Sequence, residues 1–229
     1  MTTLEHFFFN LLEPVGYGLY FLLILVLIRF DKRPKWRALL IYYFVASLLM
    51  WKAAYAYPNL TLYSLLCLLS SIGLGTFFYY TFKASSKKRI VIFFIFLQTC
   101  YYLIEIFRAE PPKAFDSLGF VILSVGIVVM SFLFMHQILT NVTEEPLSWN
   151  FDFWFGSSQL LYHLGSFFIF LTYGYLTKKL ISSPEYSKQN IFYIRQLWVA
   201  HNVLLFLSAL MIAGSLLWIS FRRKSLSSL

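Results

Sequence analysis

Few side chains in this sequence could do chemistry, and most of those lie inside apolar runs. Glu13, Lys52, Glu105 and the adjacent pair His201-Asn202 each interrupt a hydrophobic stretch. An ionisable group in hydrocarbon is expensive unless paired, so each is a functional candidate. Gathered in one pocket, Lys52 would neutralise Glu13 or Glu105, and His201 would add a proton-sensitive imidazole. Trp51, Tyr55, Tyr101, Tyr102 and Trp198 fall at similar heights and would wall such a pocket, which would take a ligand or proton from one side. The competing reading is interfacial, with the lysine snorkelling and the Trp and Tyr rings forming a belt. A second constellation is Gln159, His163 and Ser166, which share one helix face at i, i+4 and i+7 and are flanked by Gly156 and Gly165. Such a face either bonds to neighbouring helices or gates between two packings.

Other chemistries lack their residues. There is no H-E-x-x-H, no G-x-S-x-G and no pair of acids spaced on a helix to cage a cation. His136, His163 and His201 fall at different heights along their segments, which argues against a metal or haem site. Cys67 and Cys100 sit in apolar runs without a C-x-x-C. The last apolar segment has no lysine for a retinal Schiff base and no Asn-Pro-x-x-Tyr, and no acidic-Arg-aromatic triplet follows the third. No catalytic, cofactor-binding or metal-binding residue is therefore expected, and the chain reads as a non-enzyme.

What positions these groups follows from composition. Of 229 residues, 59% are hydrophobic, 21% aromatic and only 13% charged, and mean hydropathy is +0.69. Soluble domains carry about 25% charged residues. Lipid must then be the solvent for much of the surface. The +9 formal charge does not indicate nucleic acid, because the cations cluster between apolar segments, as topology demands and as anionic lipid favours.

Seven segments approach the roughly 20 residues needed to cross hydrocarbon: 8–29, 38–57, 60–82, 90–107, 118–139, 151–176 and 196–221. The connectors carry turn residues, as in Arg33-Pro34, Tyr57-Pro58-Asn59, Pro111-Pro112, Glu145-Pro146 and Ser183-Pro184. The expectation is an all-α, seven-helix, multi-pass bundle forming one domain over 1–229. The first ten residues lack a basic region and no cleavage site follows, so no cleaved signal peptide is expected. Placing Asp31–Arg37, Lys83–Arg89 and the Arg222-Arg223-Lys224 tail inside puts 12 of the 19 basic residues on that side. The N-terminus is then outside and the C-terminus cytoplasmic, although 140–150 on the inner side is acidic.

The sixth segment carries a resemblance. Phe153-Trp154, then Leu161-Tyr162-His163-Leu164-Gly165-Ser166 and the run Phe167-Phe168-Ile169-Phe170, resembles a family of small seven-helix membrane proteins common in Bacteroidetes. His201-Asn202, soon after Trp198, is similar to the opening of that family's last helix, where the two residues are spaced rather than adjacent. The resemblance implies an inner-membrane protein encoded near sensor histidine kinases, with a sensory or signalling-associated role and no catalytic residues. The partner it implies is a histidine kinase, beside the membrane lipids that composition and the basic clusters already call for. A structural or assembly subunit contacting other complex subunits is the alternative, and a small-molecule or lipid transporter is a further one.

Overall fold

A computed structural model describes residues 7–29, 31–55, 60–106, 115–140, 146–182 and 187–227. The expected punctuation at Tyr57-Pro58-Asn59, Pro111-Pro112, Glu145 and Ser183-Pro184 lies outside the described residues. Among those described, the chain is all helix: α1 Leu12–Ile28, α2 Pro34–Tyr55, α3 Leu60–Thr81, α4 Ser85–Ile106, α5 Ser117–Thr140, α6 Phe151–Ser182 and α7 Ser187–Ser227. A π-helical turn, Phe7–Leu11, leads into α1, and a 3-10 turn, Leu147–Trp149, precedes α6. Pro14 explains the π turn, since its ring would clash with the carbonyl of Asn10 in a regular helix and it has no N–H to donate.

Five helices, α2, α3, α5, α6 and α7, are long and apolar enough to cross a membrane, and α1 is a shorter apolar helix. The chain is a multi-pass membrane protein. Its surface supports this by inversion of the soluble pattern. Ile41, Phe44 and Leu48 of α2 are exposed, as are Phe93 and Phe96 of α4, while Gln98, Ser124, Ser131, Gln159, His163, His201 and Asn202 are buried. Polar groups face protein and hydrocarbon faces outward.

Several helices overrun the apolar segments that forecast them. The fourth begins at Ser85 rather than near 90, the sixth ends at Ser182 rather than 176, and the seventh starts at Ser187 rather than 196. The added turns hold Lys, Arg and Gln, which favour helix but not lipid. Hydropathy therefore marks the buried length of each helix and not its ends.

Packing makes a closed ring. Helix α1 contacts α2, α2 contacts α3, α3 contacts α5, α5 contacts α6, α6 contacts α7, and α7 returns to α1. Helix α4 stands outside this ring and touches only α3 and α5 among the described residues. It is seated at Gly126 of α5, where a Cβ would come within 1.9 Å of Phe94. Gln98 pins it further, with Nε2 donating to the Gly119 carbonyl at 3.0 Å and to Cys67 Sγ at 3.4 Å.

Two aromatic layers close the ring. At one end Trp36 packs edge-on against Phe151 and Phe155, with Phe77 beside them. At the other, Tyr63, Phe115, Phe170, Tyr173 and Trp198 interlock. Side-chain caps fix the helix starts. Asp116 Oδ1 accepts from Gly119 N at 3.0 Å to open α5, and Asn150 Oδ1 accepts from Asp152 N at 2.9 Å to open α6.

Candidate functional site

All six ring helices contribute to a polar centre. Tyr17 and Tyr20 come from α1 at i and i+3, Tyr42 and Tyr43 from α2, Ser70 from α3, Ser124 from α5, Gln159 to Ser166 from α6 and Leu205 from α7. Gln159 Nε2 donates to the Tyr20 hydroxyl at 3.2 Å and to the Tyr43 hydroxyl at 3.3 Å, and these two rings stack with centroids 4.5 Å apart. Tyr20 donates onward to Ser208 Oγ at 2.8 Å, and Tyr42 and Ser70 share a hydroxyl pair at 2.8 Å. One amide thus ties α6 to α1 and α2, and Tyr20 carries the connection to α7.

His201 forms the second node. Its Nε2 lies 3.2 Å from the Tyr162 hydroxyl and its Nδ1 lies 3.1 Å from Ser166 Oγ. A neutral imidazole has one donor and one acceptor nitrogen, and two hydroxyls can satisfy both in either tautomer. Its partners sit on either side of His163 in α6, so the two histidines occupy neighbouring levels. Counting along separate segments set them apart, because it took no account of how far each helix extends and how the helices lie against one another.

His163 itself is anomalous. It is 3% exposed, and neither ring nitrogen has a hydrogen-bond partner among the described residues. The void beside it is about 10 Å³, at the lower bound of the roughly 10–15 Å³ that one water occupies.

Beyond His201, toward the Glu13 end, lies a pocket of about 170 Å³ lined by Asn10, Pro14, Met50, Ala53, Ala54, Leu60, Tyr63, Phe115, Tyr173, Ile194 and Trp198. Four of these are aromatic. Trp198 meets Tyr63 and Phe115 edge-on, each at 5.2 Å between centroids. Behind Tyr63 is Glu13, 3% exposed, whose Oε2 accepts from the Tyr63 hydroxyl at 3.0 Å. An aromatic cavity beside a buried carboxylate is a setting for a small organic cation, which the ring faces attract electrostatically. The pocket touches the polar centre through rings, since Trp198 and Phe170 both contact His201, at 5.8 and 4.6 Å.

Of the polar residues singled out in the sequence, the structure gathers some and separates others. Glu13, His201 and Asn202 are all buried toward this end of the ring, and Asn202 Nδ2 donates to the Phe8 carbonyl at 3.2 Å. Lys52 does not join them: it is exposed and makes no ion pair with Glu13 or Glu105. Glu105 is half-buried on α4, which stands outside the ring and has no contact with α1. Gln159, His163 and Ser166 all point into the ring. Among the expected wall residues only Trp198 lines the pocket. Trp51 and Tyr55 are exposed, and Tyr101 donates to Asp116 at 2.8 Å on the α4–α5 side. Tyr63, Phe115 and Tyr173 were missed, although Tyr63 and Tyr173 each stand within about a turn of the same boundary of their segments as Trp198.

Among the described residues no group of three or more His, Cys, Asp or Glu comes together to hold a metal ion. Comparison of the chain with family models, with curated proteins and with solved structures gives no match in any of the three.

Proposed function

We propose that this chain is a non-enzymatic sensory module of the bacterial inner membrane, crossing it with all seven helices, N-terminus outside and C-terminus in the cytoplasm. The pocket at the Glu13 end faces outward and takes a small organic cation. Binding there displaces Trp198 and Phe170 against His201, and the ring repacks around Gln159, His163 and Ser166. The inner loops pass that change to a membrane partner such as a histidine kinase. One observation carries the reading: the open aromatic pocket, backed by Glu13, is in ring contact with the bonded polar centre. The seven-span count rests on α1 being extended by its π turn and on α4 being apolar from Ile90 onward. A ligand shifts helices only through its differential affinity for two packings.

The test is a thermal-shift titration of the full chain in nanodiscs, with choline as the probe and its uncharged carbon isostere as control. Choline should stabilise the protein and the isostere should not. Glu13→Gln and Trp198→Phe should each weaken the effect. Equal responses to the two probes, or a choline response untouched by Glu13→Gln, would refute the cation site. Affinity capture from native membranes addresses the partner: a copurifying histidine kinase supports the sensory role, and a stoichiometric set of complex subunits contradicts it.

A further inference from the structure

At the opposite end of the ring lies a second and larger cavity, about 510 Å³ in volume. It opens where the α1–α2 linker, the α3–α4 linker, the end of α5 and the start of α6 converge. Arg33, Lys35, Lys83 and Lys88 line it, against a single lining carboxylate, Asp152. That carboxylate is already engaged, since it forms an ion pair with Lys35 and stands 3.5 Å from Arg33. Arg33 turns its Nε to Asp31 at 2.7 Å. Lys83 and Lys88 have no carboxylate partner among the described residues, and the Lys88 ammonium rests 5.2 Å from the centre of the Tyr79 ring. Lys87, one residue earlier, is bound elsewhere, donating to the Leu133 carbonyl at 3.1 Å.

The wall is held in place. Gln137 Oε1 accepts from the backbone N–H of Lys83 at 3.1 Å, and its Nε2 donates to the Thr81 carbonyl at 3.1 Å. This one side chain clamps the α3–α4 linker to α5 and fixes where Lys83 leaves the chain. Phe82, Phe134 and Ile138 supply an apolar side to the same cavity.

We infer that this cavity binds a phosphate-bearing anion, with Lys83 and Lys88 as its principal ligands and Arg33 assisting. Two ammonium groups without a carboxylate partner among the described residues, one of them on a clamped linker, suit a phosphate, and basic pockets between membrane helices accept phosphate head groups in general. The apolar side accommodates the organic part of such a molecule. The volume is within the range of small-molecule sites, roughly 300–1,000 Å³. The source of the phosphate is either a lipid head group or a soluble organophosphate.

The experiment uses the full chain in phosphatidylcholine nanodiscs, with thermal stability read by tryptophan fluorescence. Phosphatidylglycerol is added in one arm and soluble glycerol phosphate in the other. Wild type should respond saturably in at least one arm. Lys83→Gln/Lys88→Gln should weaken the apparent affinity about thirtyfold, at about fivefold per cation. Lys83→Arg/Lys88→Arg should retain it. The control Lys32→Gln/Arg37→Gln removes the same charge from exposed positions at the same end, outside the cavity, and should change affinity far less. A response confined to phosphatidylglycerol assigns a lipid head group, and a response to glycerol phosphate assigns a soluble ligand. No response in either arm, or equal losses in the cavity variant and the control, would overturn the inference.

Discussion

Replacing His163 with leucine should stabilise the protein. The imidazole is 3% exposed with both ring nitrogens unpartnered among the described residues, and a buried polar group left without a bond costs about 1–3 kcal/mol. Leucine has a similar volume, and the adjoining void of about 10 Å³ offers slack for its branched end, so overpacking should subtract little. The net expectation is a gain of about 2 kcal/mol, or about 4–8 °C in melting temperature for a chain of this size. The assay is thermal or detergent-induced unfolding in a fixed lipid mixture, followed by tryptophan fluorescence. The same variant should express normally yet lose its response to choline, because under the proposed function the imidazole is where the ring repacks. A loss of 1 kcal/mol or more, of the order expected on deleting a bonded group, would refute the reasoning. It would mean that the imidazole is bonded in the membrane.

Three other perturbations follow from the packing. Gly126→Ala puts a methyl 1.9 Å from Phe94 and should cost about 1–3 kcal/mol by forcing α4 off α5, whereas Gly214→Ala meets nothing within 4 Å and should be neutral or gain up to about 1 kcal/mol in helix propensity; unfolding midpoints compare the two. Lys35→Met removes the nearer of the two cations on Asp152, leaving a largely buried carboxylate with only Arg33 at 3.5 Å, and should lose about 1–3 kcal/mol, less than a fully unpaired buried charge would, while Lys35→Met/Asp152→Asn should recover most of that, as a double-mutant cycle will measure. Asp31, in the α1–α2 linker, is raised by partial desolvation but lowered further by its bonds to Arg33 and Trp36, and ends near 2. A depressed carboxyl contributes stability above its unfolded value of about 4 and loses it as pH falls toward 2. Trp36 emission, reporting its bond to Asp31, should therefore change only at the acid end of that window, and Asp31→Asn should abolish the change.

The fold was legible in the sequence to the extent that hydropathy decides it. Seven apolar segments became seven helices, because a lipid-facing backbone has to satisfy its own hydrogen bonds. The ring was not legible. Nothing in the periodicity of 90–107 marks α4 as peripheral; its seat depends on the missing side chain at Gly126 making room for the ring of Phe94, a pairing across 32 residues of sequence. The same blindness undid the expected cluster of Glu13, Lys52 and Glu105. Height along a segment is readable from sequence, but azimuth is set by neighbours, and Lys52 faces outward while Glu105 rides on the excluded helix. Gln159, His163 and Ser166 were readable as one inward face because a single helix fixes both coordinates. Tyr63, Phe115 and Tyr173 come from three different parts of the chain, and their convergence on Trp198 is tertiary.

Helix α6 is the element best placed to carry a shift between the two ends. It reaches the aromatic pocket through Tyr173, the polar centre through Gln159 to Phe170, and the basic cavity through Asp152. Its polar bonds at Gln159 and Ser166 go to α1, α2 and α7. Against α5 it is held by apolar contacts instead, with Phe120 against Phe170 and Phe134 over Gly156. Apolar contacts tolerate sliding, whereas hydrogen bonds have discrete partners, so the repacking proposed above would have α6 exchange partners on its polar face while resting on α5. Gln159 and Ser166 are seven residues apart, about 10 Å along the axis. In unfolding assays Gln159→Leu and Ser166→Ala should therefore add within about 0.5 kcal/mol. In choline binding they should not behave as bystanders. Neither residue lines the aromatic pocket, yet both should shift probe affinity, because both bias the position of the helix that bears Tyr173. If Gln159→Leu leaves the probe's affinity unchanged, α6 does not move as a unit, and the coupling between pocket and polar centre fails with it.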